Sequence, residues 1–466
     1  MIRQHALPGG FTMHRAFLPQ PPARGRHALA LAAVVAVLGC STSDILNVDT
    51  PDIIPTVTSA SGAIALKNGV ILRLEQATNG IQGPDALFVY GGLLADEYRS
   101  GDTFVQRNDM DQRIFDPTNT FLAGPFRSLN RVRVEGLAAI NALQTYAPTP
   151  QSNIGLMYAL TAYSLNLAGE TYCNGIPVSG LSGTTIVYGD PLPVDSVFGL
   201  ASVAADSALA YQPGPDSARV RQFAAIVKGR ALLNRGQYAA AASVVSQVAT
   251  AFHYDVTYSA NTSDNQIWAL NTSAKRYFIG DREGGSGLPF YSANDPRVIR
   301  SKGGKVFDSS LPDTAILQGL WGRFSAVPIA AGIEARLIEA EASLQAGNTA
   351  AWLTTLNTLR ANNALYPTAQ TGFTRAPIPL PAVADPGTPA SRVDLMFYER
   401  GFWMFSTGHR LGDLRRLIRQ YGRAPDAVFP TGTYFKGGPF GPAVNMPIPL
   451  DEQNNPHFVH CMNTSA

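Results

Sequence analysis

Ile333–Arg360 reads IEARLIEAEASLQAGNTAAWLTTLNTLR. Ile333, Leu337, Ala340 and Leu344 recur along one side of a helix, Gly347 interrupts it, and Trp352, Leu356 and Leu359 resume the stripe. The pattern is that of two antiparallel helices joined by a tight glycine turn. Arg219–Ala249 repeats it. Phe223, Ile226, Val227 and Leu233 share one face, Gly236 breaks the helix, and Tyr238, Ala241, Ala242 and Val245 line the next. In both hairpins an alanine precedes the turn glycine by five positions, Ala231 before Gly236 and Ala342 before Gly347.

Small residues beside a glycine turn are the grammar of tetratricopeptide helix pairs, in which alanines let two helices approach closely. The two hairpins lie too far apart for a tandem array, so they read as members of a helical superhelix broken by insertions. Other helical stretches follow. They begin near Ala63 and near Leu87, and they cover Asn119–Tyr146, Ile154–Leu167, Arg392–Phe405 and Gly412–Arg423. The segment 250–328 is rich in Asn, Gly, Ser and aromatics, with strand-like pieces at Gln266–Leu270 and Lys275–Ile279. Gly372–Ala390 is proline-rich, and the last forty residues carry five spaced prolines from Pro430 to Pro449. The expected fold is mainly α: tetratricopeptide-like hairpins forming a superhelical scaffold with long irregular loops and a few short strands.

Ala28–Cys40, ALALAAVVAVLGC, sits behind Arg24 and Arg26. The apolar run is too short to span a bilayer, which needs about 20 residues, and has the form of a signal-peptide core. Gly39 before Cys40 is the form a lipoprotein signal peptidase cleaves, leaving Cys40 lipidated at the new amino terminus. An ordinary secretory signal with a chance cysteine is the alternative. The start codon is open between Met1 and Met13. The expected organisation is a leader over 1–39, a lipid anchor and linker over 40–61, and one α-helical domain over 62–466. Loop-rich insertions fall at about 96–118, 250–328, 366–391 and 424–466. No later run is long enough to cross a membrane.

The chain has 36 Lys+Arg against 34 Asp+Glu. Arg3, Arg15, Arg24 and Arg26 belong to the leader, which holds no acid, so a cleaved protein has a net charge of about −2. No basic patch argues for nucleic acid. Of the 3 cysteines, Cys40 is the lipidation candidate. Cys173 and Cys461 remain as an even pair, and an oxidising compartment makes a disulfide between them the expected state, with two unpaired thiols as the alternative.

Catalytic constellations are missing from the pattern. Asp96 and Glu97 are adjacent and project apart, which does not suit a pair flanking one glycosidic bond. No nucleophile elbow, HExxH or phosphate-loop lysine occurs. His253, His409, His457 and His460 lack metal spacing. Asp109, Asp111 and Asp116 lie close in one loop and offer oxygens for calcium, without the glycine and acid spacing of an EF-hand. No cofactor or metal is expected beyond that weak calcium option.

Further residues carry a resemblance. Glu399-Arg400, Gly408-His409-Arg410 and Asp413-Leu414-Arg415-Arg416 form an ER…G.R…DL.R series. Asn445-Met446-Pro447-Ile448-Pro449 and Glu452…Asn455-Pro456 close the chain, and Gly169–Pro177 ends a helix in a Gly-Ile-Pro turn. With the lipobox and the Glu334–Arg360 helix pair, this text resembles the SusD/RagB outer-membrane lipoproteins over essentially all of 40–460. Trp403 and Thr407 stand where that family often has glutamate.

The resemblance implies a cell-surface, lipid-anchored outer-membrane protein that does no covalent chemistry. It would capture nutrient, glycan or peptide, over a SusC-like TonB-dependent transporter. A structural or assembly lipoprotein, holding a protein partner on its repeats, is the competing reading. Sugar capture needs aromatic faces with polar neighbours. Two loops offer them: Ala95–Phe104, with Tyr98, Arg99 and Asp102, and Trp268–Arg297, with Tyr277, Arg282, Phe290, Tyr291 and Asn294. Trp321 is a weaker candidate. For each aromatic, packing within its loop is the competing role. Arg410 and Asp413, at i and i+3, are expected to pair within a buried polar network that fixes the packing of the last helices.

Overall fold

The computed structural model describes residues 57–80, 86–116, 118–182, 185–211 and 213–466. Cys40, the leader and most of the linker lie outside them. Each long helix packs on the next in sequence: Ala60–Asn79, Ala123–Tyr146, Ser152–Thr171, Val194–Ala210, Ser217–Asn234, Tyr238–Val245, Gly332–Gln345 and Thr349–Ala361. This stepwise stacking of antiparallel neighbours is the superhelical scaffold expected from the hairpins. Pro389–Trp403 and Arg410–Tyr421 pack across it. Strands are short and pair only two by two.

The hairpin turns form where the sequence places them. Gly347 has φ +75° and Gly236 φ +70°, a left-handed backbone that glycine adopts without steric penalty. Asn348 then caps the second helix, its Oδ1 accepting from the Ala351 N–H at 3.1 Å. Trp352 is fully buried, and its indole N–H points to the Met396 sulfur at 3.3 Å, tying the hairpin to the Pro389–Trp403 helix. That helix starts as caps prescribe, with Thr388 accepting from the Ser391 N–H and Pro389 in its first turn.

Several elements differ from expectation. Gln266–Leu270 is not a strand: the chain there is helical, passing into a π-helical turn over Trp268–Ser273. Asn265 starts it by accepting from the Ile267 N–H at 3.0 Å, an end signal that outweighs a short apolar run with no strand partner. Val194–Ala210 is a helix absent from the sequence reading. Its buried stripe is largely alanine and serine, at Ala201, Ser202, Ala205 and Ala208, and such small residues give a weak hydrophobic period.

The carboxy-terminal coil is bound down. Cys173 and Cys461 form a disulfide. Beside it the Cys173 N–H donates to Met446 O at 2.9 Å, and Asn174 reaches the Asn463 side chain at 2.9 Å. Met446 and Ile448 are fully buried.

Candidate functional site

The arginine-rich series of the last two long helices is a packing network, as expected, with different partners. Asp413 does not pair with Arg410. It accepts from Arg400 at 2.8 Å and from Arg416 at 2.8 Å. Burial opposes its charge, but the two guanidiniums win and hold its carboxyl well below the usual carboxylate range. Arg410 reaches instead to Asp96, at 2.6 and 2.8 Å. Glu399 is shared between Arg297 at 2.7 Å and Arg360 at 2.6 Å. With Glu341 on Arg416 and Asp295 on Arg297, these buried cations and acids balance, so the network sets geometry.

The two loops read as ligand-binding turn most of their named residues inward, which corrects that expectation. Tyr98 is 1% exposed, packs on Phe405 and has its hydroxyl against Ser406. Tyr277 and Phe290 are fully buried, Phe290 between Phe402 and Phe405 at 5.2 and 4.9 Å between centroids. Asp102 is fully buried as the counter-ion of Arg107 and Arg276, each at 2.6 Å. Arg99 is held by Glu283 at 2.6 Å and lies over the Phe435 ring at 3.9 Å. Tyr291 is half-buried beneath Arg300. The reason lies in strand pairing. Tyr98–Ser100 pairs antiparallel with Tyr277–Ile279, and both faces of this small ribbon are covered. Sequence alone does not separate a covered strand from an exposed loop.

The three acids likewise do not converge, and Asp109 and Asp111 stand on a helix, Val105–Asp111, where a loop was expected. Asp111 points inward to the Ser100 N–H at 2.7 Å and the Tyr434 hydroxyl at 2.9 Å, while Asp116 closes a turn onto Thr118. No group of three or more metal-ligating side chains gathers among the described residues.

The prominent concavity is a half-open pocket of about 420 Å³ between residues 320–333 and the end of the Pro389–Trp403 helix. Trp321 and Trp403 form its aromatic sides, Phe402 and Phe405 lie deeper, and Thr368 and Gln370 bring polar groups. Its walls are braced from behind. Gln318, fully buried, accepts from the Trp321 N–H at 2.9 Å and donates to Trp321 O at 2.9 Å. Trp403 packs on Tyr366 at 5.2 Å, with the Arg297 guanidinium 5.1 Å from its ring centre. Arg297 is the charged residue of the lining, but its side chain is only 1% exposed and is neutralised by Asp295 and Glu399. The pocket therefore presents aromatic faces, hydroxyl and amide groups, and no free charge. Trp403 and Thr407, the two departures noted in the signature series, both line it. Sequence reading ranked Trp321 low and left Trp403 without a ligand role; an indole standing where the resembled family often has glutamate is the one feature of the sequence that sets Trp403 apart.

No family model and no curated protein matches the sequence. Solved structures do. A SusD/RagB family protein from Bacteroides thetaiotaomicron superposes with a TM-score of 0.60 at 13% identity, covering 85% of this chain and 94% of that one. A putative sugar binding protein from Bacteroides vulgatus gives 0.60 at 14%, covering 88% and 100%. A SusD-like carbohydrate binding protein from the same species gives 0.57 at 11%, covering 76% and 83%. At these identities the likeness is one of fold, and the chain has the SusD/RagB fold. Among the described residues no helix is long and apolar enough to cross a membrane.

Proposed function

We propose that this protein captures a glycan at the cell surface, as a lipoprotein anchored in the outer membrane through Cys40, and passes it to a SusC-like TonB-dependent transporter. The observation that carries the reading is the uncharged pocket with two tryptophan walls. Sugar rings bind to such faces through their C–H surfaces, and their hydroxyls can pair with neutral amides and hydroxyls. Gln318 holds the backbone of Trp321 and Tyr366 packs on the Trp403 ring, so part of the wall is ordered before a ligand arrives, which favours affinity. The pocket lining contains no carboxylate, so no acid pair is placed to cleave a glycosidic bond. That supports binding without chemistry. Two of the structures with this fold are described as sugar or carbohydrate binding proteins.

The test is calorimetric titration of the purified protein with a panel of neutral oligosaccharides. Trp321→Ala should weaken binding of the ligand so found by about tenfold, the order expected for removing one stacked aromatic face, with the melting temperature nearly unchanged. Unchanged affinity in that variant would retire the pocket, and failure of every glycan to bind would retire the capture reading. Mass spectrometry of membrane-extracted protein checks for acyl chains on Cys40.

A further inference from the structure

The pocket between Trp321 and Trp403 changes character with depth. At its mouth Ala326 and Thr368 are exposed and Ser325 and Gln370 half-buried, so hydroxyl and amide groups ring the entrance. The floor is different. Leu320, Ala330, Phe402, Met404 and Phe405 line it, all of them buried, and none carries a strong hydrogen-bonding side chain. Two polar side chains reach this depth, and both are committed. The Thr407 hydroxyl donates to Met404 O at 2.6 Å. The Arg297 guanidinium spends all three nitrogens on carboxylates: Nε and Nη2 on Asp295 at 2.9 and 2.7 Å, and Nη1 on Glu399 at 2.7 Å.

That gradient discriminates between sugars. At about 420 Å³ the cavity lies toward the small end of the range for ligand sites, about 300–1,000 Å³, so a sugar unit that fills it meets the floor. An ordinary hexose carries a hydroxyl on nearly every ring carbon and presses at least one of them against Phe402, Met404 and Phe405. That hydroxyl leaves water without gaining a partner, which opposes binding. A methyl group in the same place leaves water with a gain instead. The remaining hydroxyls of such a ring stay at the mouth, where Ser325, Thr368 and Gln370 can pair with them.

We propose that the pocket selects a sugar unit that bears a methyl group, as a 6-deoxyhexose or a methyl ether does, with the methyl on the Phe402–Phe405 floor and the hydroxyls at the mouth. The proposal rests on the glycan-capture reading and names the class of ligand within it. Ala330 is the residue on which the selection turns. It stands on the Val327–Ala331 strand with only a methyl side chain, so it leaves room on the floor for a methyl of the ligand.

The experiment is calorimetric titration of the full chain in detergent with pairs of sugars that differ in one group: L-rhamnose against L-mannose, L-fucose against L-galactose, and 3-O-methylglucose against glucose. In at least one pair the methyl-bearing member should bind about tenfold more tightly or better, the span expected for one apolar group in an apolar pocket. The first two pairs report a deoxy position and the third an ether, so the pair that responds identifies the source of the methyl. Ala330→Val fills the floor and should bring the ratio of affinities close to one; valine suits a strand, and a melting curve checks the fold. Ala330→Ser keeps nearly the same volume but offers a hydroxyl, and should shrink the ratio by favouring the hydroxylated member, so the test stands even where the valine variant does not fold. Equal affinity within every pair, or a preference that survives both substitutions, would overturn the methyl selection. So would failure of every methyl-bearing sugar to bind. Glycan binding that still depends on Trp321 would then leave the capture reading standing, whereas absence of binding by every sugar and oligosaccharide would remove both.

Discussion

Glu97 stands fully buried beside Asp96, its Oε1 taking the Ser406 N–H at 2.6 Å. Desolvation dominates and pushes its carboxyl from the ordinary 4.5 up to about 8, against the pull of that N–H. The folded state therefore holds a proton that the unfolded chain has already released. By linkage its contribution to stability is complete below about 4.5 and falls as pH rises through the interval to about 8. Urea midpoints measured across that interval should decline with pH, and Glu97→Gln, which keeps the acceptor and removes the titration, should make the decline shallower, the remainder coming from groups such as Glu283, whose carboxyl burial also pushes up to about 8. An equal slope in the variant would assign the effect elsewhere. Asp413 acts with the opposite sign and at far lower pH, so it does not confuse the measurement. Single residues were also where reading from sequence was weakest. Tyr98 and Tyr277 had the polar neighbours of ligand aromatics, yet a second layer of packing covers them.

The helical hairpins were legible because their information is local. A stripe every three to four residues and a glycine break both act within one or two turns. The two kinds of glycine in these hairpins separate backbone strain from crowding. At Gly347 nothing lies within 4 Å of where a Cβ would stand, and only φ +75° opposes substitution. Gly347→Ala should lower stability by about 1 kcal/mol in chemical denaturation. At Gly332 the backbone is ordinary but the Cβ would stand 2.0 Å from Ala249 O, where the helix abuts the end of the preceding hairpin. Gly332→Ala should cost more, about 1–3 kcal/mol, because backbone must move. The reverse order would mean that the helix junction yields more easily than the turn. Val194–Ala210 escaped notice for the opposite reason to the hairpins: an alanine stripe buries well between two helices but hardly stands out from its surroundings.

Across the molecule, one covalent bond and one ionic network hold distant parts together. The Cys173–Cys461 bond spans 288 positions and pins the carboxy-terminal coil to the end of the Ser152–Thr171 helix. Replacing both cysteines by alanine should cost about 2–5 kcal/mol, and should expose the last twenty residues to limited proteolysis before the helices. Cleavage that starts elsewhere, at unchanged stability, would mean that hydrogen bonds through Asn174 and Met446 suffice. The even cysteine pair was visible in the chain, as was the helix-pair class of fold. Neither requires knowing which segments meet. The joining of Asp96 to Arg410 over 314 positions, the covering of the tyrosine ribbon and the opening of a pocket beside Trp403 are different in kind. Each depends on which charges and rings are removed from water together, and that balance exists only once the helices are stacked.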